Sequence, residues 1–133
     1  MSEIGLVDTT LRDGNQSIWG ATGLTTPMVL RAAPIMERAR YAAVELTNST
    51  AMAVAVRWHR EDPWERIRRA SALLPGTRRG FITTGLRFIS FYRTPDTLMR
   101  LAFELLIRAG INRFWIVDPM NDVTSVLRAA RMI

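Results

Sequence analysis

The chain has no cysteine, no lysine and a single histidine, His59, in 133 residues. Without cysteine there are no disulfides, no thiolate metal sites and no cysteine nucleophile. Without lysine there is no Schiff-base or carbamylated-lysine chemistry from this chain. The first residues, MSEIGLVDTT, have neither the basic start nor the apolar core of a signal peptide, and no later apolar run is long enough to span a membrane. A cytoplasmic protein with no membrane partner is expected. No glycine-rich GxGxxG turn follows the first apolar run, which argues against a dinucleotide-binding sheet.

What is present fits one globular domain over residues 1–133, with 48% hydrophobic residues available for a core. The net charge of +6 comes entirely from arginines spread between Arg12 and Arg131. A nucleic-acid-binding chain usually gathers its basic residues on one face with interleaved aromatics, so no nucleic-acid partner is expected. The densest group, Arg57, Arg60, Arg66, Arg68 and Arg69, is interleaved with Glu61, Asp62 and Glu65 and reads as a salt-laced solvent face.

Taken in order, short apolar runs alternate with helical patterns. Ile4 to Val7, Ala43 to Leu46, Arg79 to Thr83 and Arg113 to Val117 read as strands. Thr26-Pro27 and Thr94-Pro95 read as cap-and-proline helix starts, the first opening a helix to about Tyr41 that Pro34 should kink. Asp62, Pro63 and Glu65 resemble a capping box for a helix to about Leu73. Ser49 to Trp58 is read as a helix. The helix after Pro95 carries apolar positions Leu98, Leu101, Ala102, Leu105 and Leu106 and closes at Gly110, and a last helix begins near Val123.

Four β-α units in succession predict an α/β fold with a parallel sheet covered by helices. The position of the polar residues favours a TIM barrel over an open sheet. Asp8, Arg12 and Asp13 follow strand one, Glu45 and Thr47 end strand two, Thr83, Thr84 and Arg87 end strand three, and Asp118 ends strand four. In parallel α/β barrels the C-terminal strand ends carry the active site. The segment Val7 to Trp19 is the richest, an acid-ended strand running into Arg12-Asp13-Gly14 and Gln16. It reads as a metal-binding and anion-binding loop, or as a polar connection whose Asp side chains cap turns.

Three segments carry a family resemblance. DTTLRDGNQS (residues 8–17) resembles the opening motif of the DRE-TIM metallolyase superfamily. Glu45 and the EDPWER segment sixteen residues on, together with FWIVDPMND (residues 114–122), resemble the carboxyltransferase branch found in pyruvate carboxylase and oxaloacetate decarboxylase. The resemblance implies about half of a TIM barrel and a metal-dependent carbon-carbon lyase or carboxyl/acyl transferase. Its substrate would be a small carboxylate or acyl molecule that reacts through an enolate. It implies Asp13 as a metal ligand, Arg12 as the group that stabilises an enolate oxygen, Glu45 as the acid held near Arg12, and Gln16 as a residue close to the substrate. A divalent metal (Mn, Zn, Mg or Co) is implied as cofactor, if another segment or chain completes its site.

The departures from that branch are equally specific. Ala53 stands where the branch has the aspartate of GGATFD, Thr84 where it has the arginine of LLRGQNLLGY, Phe91 at the tyrosine of that segment, and Trp115 at the arginine of FRIFD. A threonine hydroxyl cannot reproduce the two-pronged grip of a guanidinium on a carboxylate. Thr84 and Arg87 are therefore the candidate substrate-binding residues, Arg87 for a differently placed acid, with a solvent-facing loop arginine as the alternative. A complete barrel takes on the order of 250 residues, and the family's His-x-His pair and its lysine belong to later strands. The expectations are the N-terminal half of such an enzyme, a half-barrel assembly module, or an inactive remnant. Each is expected to be homo-oligomeric or paired with a complementary C-terminal half. His59 reads as a surface residue.

Overall fold

Four strands, β1 (Val7–Asp8), β2 (Ala43–Asn48), β3 (Arg78–Thr84) and β4 (Arg113–Val117), form one parallel sheet in the computed structural model, which describes residues 4–88 and 92–133. They pair in the order β1-β2-β3-β4, each beside its predecessor. A doubly wound sheet reverses its strand order at a switch point, and this one does not. The progression is that of consecutive β/α units in a TIM barrel, four of the eight. Among the described residues no helix is long and apolar enough to cross a membrane.

The connecting helices are α1 (Asn15–Trp19), α2 (Thr26–Ala39), α3 (Ser49–Val54), α4 (Pro63–Ala72), α5 (Asp96–Arg108) and α6 (Val123–Ala130). Val44, Leu46 and Phe81 of the sheet share one core with Val29 of α2, Ile67 of α4, Met99, Phe103 and Leu106 of α5, and Ala129 of α6. Phe103 meets Phe114 edge to face at 5.5 Å between centroids. Burial of each large side chain in this layer stabilises by about 1.5–3 kcal/mol, which fixes the helices behind the sheet.

Several local expectations are corrected. Thr26 does not cap α2: it lies inside the helix, and its backbone N–H and hydroxyl both donate to Glu61 Oε2, at 2.9 and 2.6 Å. Arg66, expected in the solvent face, is buried and donates to Thr26 Oγ1 and to Glu61. A remote acid thus satisfies the helix start, and the Glu61–Arg66 pair ties α4 to α2. Burial pushes the Glu61 carboxyl up, but hydrogen bonds from Thr26 and Arg66 outweigh it and hold it below its ordinary 4.5. The other central arginines, Arg57, Arg60, Arg68 and Arg69, are exposed as expected, and Arg68 pairs at the surface with Glu65 and Asp62.

Asp62 does cap α4, accepting from Trp64 N at 2.8 Å, while Glu65 turns to Arg68 instead of closing a capping box. Thr94 is not a helix cap either. Its hydroxyl accepts from Phe88 N and its N–H donates to Leu86 O, closing the β3–α5 loop. In α5 the buried stripe is Met99, Ala102, Phe103 and Leu106, whereas Leu98, Leu101 and Leu105 are exposed. Apolar residues at two adjacent spacings made both stripes look equivalent in sequence. Gly110 closes α5 at φ +109, where a Cβ would lie 2.6 Å from Ser71 Cβ, so the chain turns there only without a side chain. The Ser49 to Trp58 helix is α3 continued by a wider π-helical turn over Ala55–His59.

Candidate functional site

The Arg12-Asp13-Gly14 turn leaves β1 as one π-helical turn over Thr10–Gly14, in which the N–H groups of Arg12, Asp13 and Gly14 all reach Thr9 O. Asp8 is occupied locally, accepting from Thr10 N and Thr10 Oγ1 at 3.0 and 2.9 Å, so it shapes the turn and offers little to a ligand. The turn carries the Arg12 side chain to the neighbouring strand. Its Nε and Nη2 donate to Glu45 Oε2 at 3.0 and 2.8 Å, and its Nη1 donates to Asp13 Oδ1 at 2.8 Å. Glu45 is 1% exposed in the middle of β2, Arg12 is 12% exposed at its side chain, and Asp13 is half exposed.

A second cation, absent from the expected site, completes the cluster. Register across the sheet puts Glu45, Gly80 and Arg113 in one row over β2, β3 and β4. Gly80 has no side chain to fill the gap, and Arg113 Nη1 reaches Glu45 Oε1 at 3.3 Å across two strands. A Cβ on Gly80 would already lie 3.3 Å from Glu45 Cα. Two residues on, and so on the same face of the strand, Trp115 lies under the Arg113 guanidinium at 6.0 Å. Trp115 therefore supports a cation that sits two positions earlier than the family's arginine. The signal in sequence was an Arg-x-Trp alternation at the start of strand four, legible only once Gly80 is known to face it.

The site is an ion cluster with no net charge: Arg12 and Arg113 against Glu45 and Asp13. A buried carboxylate is tolerated because both its oxygens are held by guanidinium groups. Three of the five N–H donors of Arg12 are engaged in these bonds, leaving one each on Nη1 and Nη2. Close by, Gln16 Oε1 accepts from Asn48 Nδ2 at 2.7 Å, and Asn48 Oδ1 accepts from Ala51 N at the start of α3. Asn48 is the second residue the sequence reading passed over; it lies in the segment that departs from GGATFD.

The remaining candidates lie apart from this cluster. Thr84 and Arg87 are exposed at the end of β3, bridged to each other across the Gly85 turn, and line a cavity with Asp118 at the end of β4. The position of Phe91 lies outside the described residues. Ala53 sits on α3 and leaves no carboxylate there. His59 is half-buried, not a surface residue, with Nε2 enclosed and no partner among the described residues.

For a metal, the donor set falls short. Among the described residues no three His, Asp or Glu side chains converge. Asp13 offers one carboxylate with one oxygen already bonded to Arg12, whereas a hard divalent cation takes about six oxygen ligands. The described residues do not by themselves fit a resident metal ion.

No protein-family model matches the chain. It is 30% identical over 131 residues to the 2-oxoglutarate carboxylase large subunit of Hydrogenobacter thermophilus, covering 98% of this chain and 20% of that one. It is 28% identical over 132 residues to a pyruvate carboxylase subunit of Methanothermobacter thermautotrophicus, covering 99% of this chain and 23% of that one. The chain thus spans about a fifth of the length of these relatives. The carboxyl transferase domain of Rhizobium etli pyruvate carboxylase with pyruvate superposes on all of this chain and 23% of that one with a TM-score of 0.93 at 24% identity, a likeness of fold. The homologues of this chain are pyruvate carboxylase and carboxyltransferase subunits, and its fold is that of part of their carboxyl transferase domain.

Proposed function

We propose that this chain is the N-terminal part of a carboxyl-transferring TIM-barrel site, in the cytoplasm, that makes or breaks a carbon-carbon bond next to a carbonyl through an enolate. The observation that carries it is Arg12. Its guanidinium is locked by a buried Glu45, still has two N–H donors to give, and sits at the C-terminal end of the parallel sheet. Donors held in place before charge develops stabilise an oxyanion far more than donors that must reorganise. Glu45 acts through Arg12: its Oε2 accepts from both Nε and Nη2 and its Oε1 from Arg113, so it holds the plane of the guanidinium.

In this reading a small 2-oxo acid or acyl substrate lies over Arg12, with Gln16 at its side and Thr84 and Arg87 at its far end. The relatives named 2-oxoglutarate carboxylase and pyruvate carboxylase support a 2-oxo acid. Asp13 contributes one ligand to any divalent metal, the others coming from a further segment or chain. The outer edges of β1 and β4, unpaired among the described residues, support the same completion, by later β/α units, a complementary half or a second copy.

Oxalate, a planar dianion shaped like the enolate of pyruvate, tests the reading by NMR titration. It should shift the Arg12 Nε–H resonance of the folded chain, and Arg12→Met should abolish binding while Arg12→Lys weakens it. An oxalate titration that leaves the Arg12 signal unmoved overturns the proposal.

A further inference from the structure

We infer that the cavity between the ends of β3 and β4 and the start of α6 is a preformed oxyanion-binding pocket, with Arg87 as its gripping group. This deepens the reading of Arg87 as substrate-binding and names what it takes: a carboxylate or phosphate group, hence a ligand with an anionic end separate from any group over Arg12. The cavity measures about 230 Å³, and its wall includes Thr84, Arg87, Arg93, Asp118, Ser125 and Arg128.

Charge picks out Arg87 among the three arginines. Arg93 and Arg128 both pair with Asp96 at the start of α5. The two carboxylates of the wall, Asp118 and Asp122, each turn one oxygen to a backbone N–H, of Met120 at 2.8 Å and of Thr124 at 3.0 Å. Arg87 has no carboxylate partner among the described residues, so its planar fork of N–H donors is available to the two oxygens of a carboxylate or phosphate.

Position is what distinguishes Arg87 from an ordinary exposed loop arginine, because its backbone is tied on three sides. Arg87 N donates to Thr84 O, and Gly85 N donates to Val117 O of β4 at 2.8 Å. Leu86, buried beside it, accepts from Thr94 N through its carbonyl, and Phe88 N donates to Thr94 Oγ1. The turn itself requires glycine: Gly85 has φ +54, and a Cβ there would lie 3.3 Å from Asp118 Oδ2. The fixed turn spares a ligand the cost of ordering the backbone, so that only the Arg87 side chain has to be ordered on binding. The pocket also opens at the C-terminal ends of two parallel strands, the side on which such folds place ligands.

Succinate and inorganic phosphate, titrated separately into the folded chain at constant ionic strength, test the pocket through the backbone amide signals of Gly85, Leu86 and Ser125. The expected result is saturable shifts at these amides, weakened at least tenfold by Arg87→Ala and partly restored by Arg87→Lys. Preference for succinate identifies a carboxylate ligand, and preference for phosphate a phosphorylated one. Gly85→Ala should weaken binding with Arg87 intact, because it distorts the platform. Shifts that do not saturate, or that survive Arg87→Ala, overturn the inference. Since oxalate at Arg12 is read from a different resonance, failure of the enolate reading and failure of this pocket give different results.

Discussion

Replacing Glu45 tests the physical core of the site. Its Oε2 receives two short bonds from Arg12, at 3.0 and 2.8 Å, whereas its Oε1 receives one longer bond from Arg113, at 3.3 Å. Hydrogen bonds to charged groups contribute about 1.5–3 kcal/mol each, and removing one partner of a buried pair costs about 3–5 kcal/mol. Glu45→Ala leaves Arg12 nearly buried but still paired with Asp13, which moves the expected loss to the lower end, about 3 kcal/mol. Arg113 is 31% exposed, so solvent screens its share to the scale of a surface pair, about 0.2–1 kcal/mol. The assay is urea unfolding of Glu45→Ala, Arg12→Met, Arg113→Met and the two double variants. With m near 1–3 kcal/mol/M, a loss of about 3 kcal/mol moves the midpoint by at least about 1 M. Coupling energies from the two cycles should rank Arg12–Glu45 above Arg113–Glu45 by at least about twofold. An Arg12–Glu45 coupling below about 0.5 kcal/mol, or the reverse ranking, would refute the buried-pair account.

Three further outcomes are expected. Gly80→Leu should place a side chain where Arg113 crosses to Glu45 and destabilise by about 2 kcal/mol, with the Arg113–Glu45 coupling vanishing; Gly80→Ala, at 3.3 Å from Glu45 Cα, should cost less. Glu61 has a folded pKa held below 4.5, so its contribution is present above that value and lost as pH falls through the folded pKa. Urea midpoints at pH 7 and pH 3.5 should therefore differ less in Glu61→Gln than in the parent, and equal differences would remove Glu61 from the α2–α4 tie. Calorimetric titration with Mn or Zn should give no micromolar binding by this chain, because Asp13 supplies one carboxylate where several ligands are needed; tight binding that disappears in Asp13→Ala would contradict the donor count.

The alternation of apolar runs and helical patterns was enough to read four β/α units from sequence, because strand and helix periods are local properties. The boundaries of β2 and β3 moved by one or two residues and those of β4 not at all, whereas the expected first strand Ile4 to Val7 became Val7–Asp8, starting three residues later. The cap assignments at Thr26 and Thr94 failed for a common reason. A Thr-Pro pair is a good local start, but both threonines found partners outside their helices, Thr26 in the distant Glu61 and Thr94 in Phe88 and Leu86 of the loop before it.

The sequence by itself placed Arg12 and Glu45 in one site only through the family resemblance of residues 8–17 and Glu45, because strand pairing alone leaves open which face an acid takes; the structure joins them at 3.0 and 2.8 Å. The sequence determined that neither thiol nor amine chemistry is available. Only the tertiary structure decided that Glu45 answers to two cations and that Arg113 reaches it through the gap at Gly80. It also decided that Arg66 is a buried tie between helices and that Arg87 stands on a fixed turn. Each of these depends on which residues face one another across two strands or between two helices. That is a matter of register and packing, which no short-range pattern encodes.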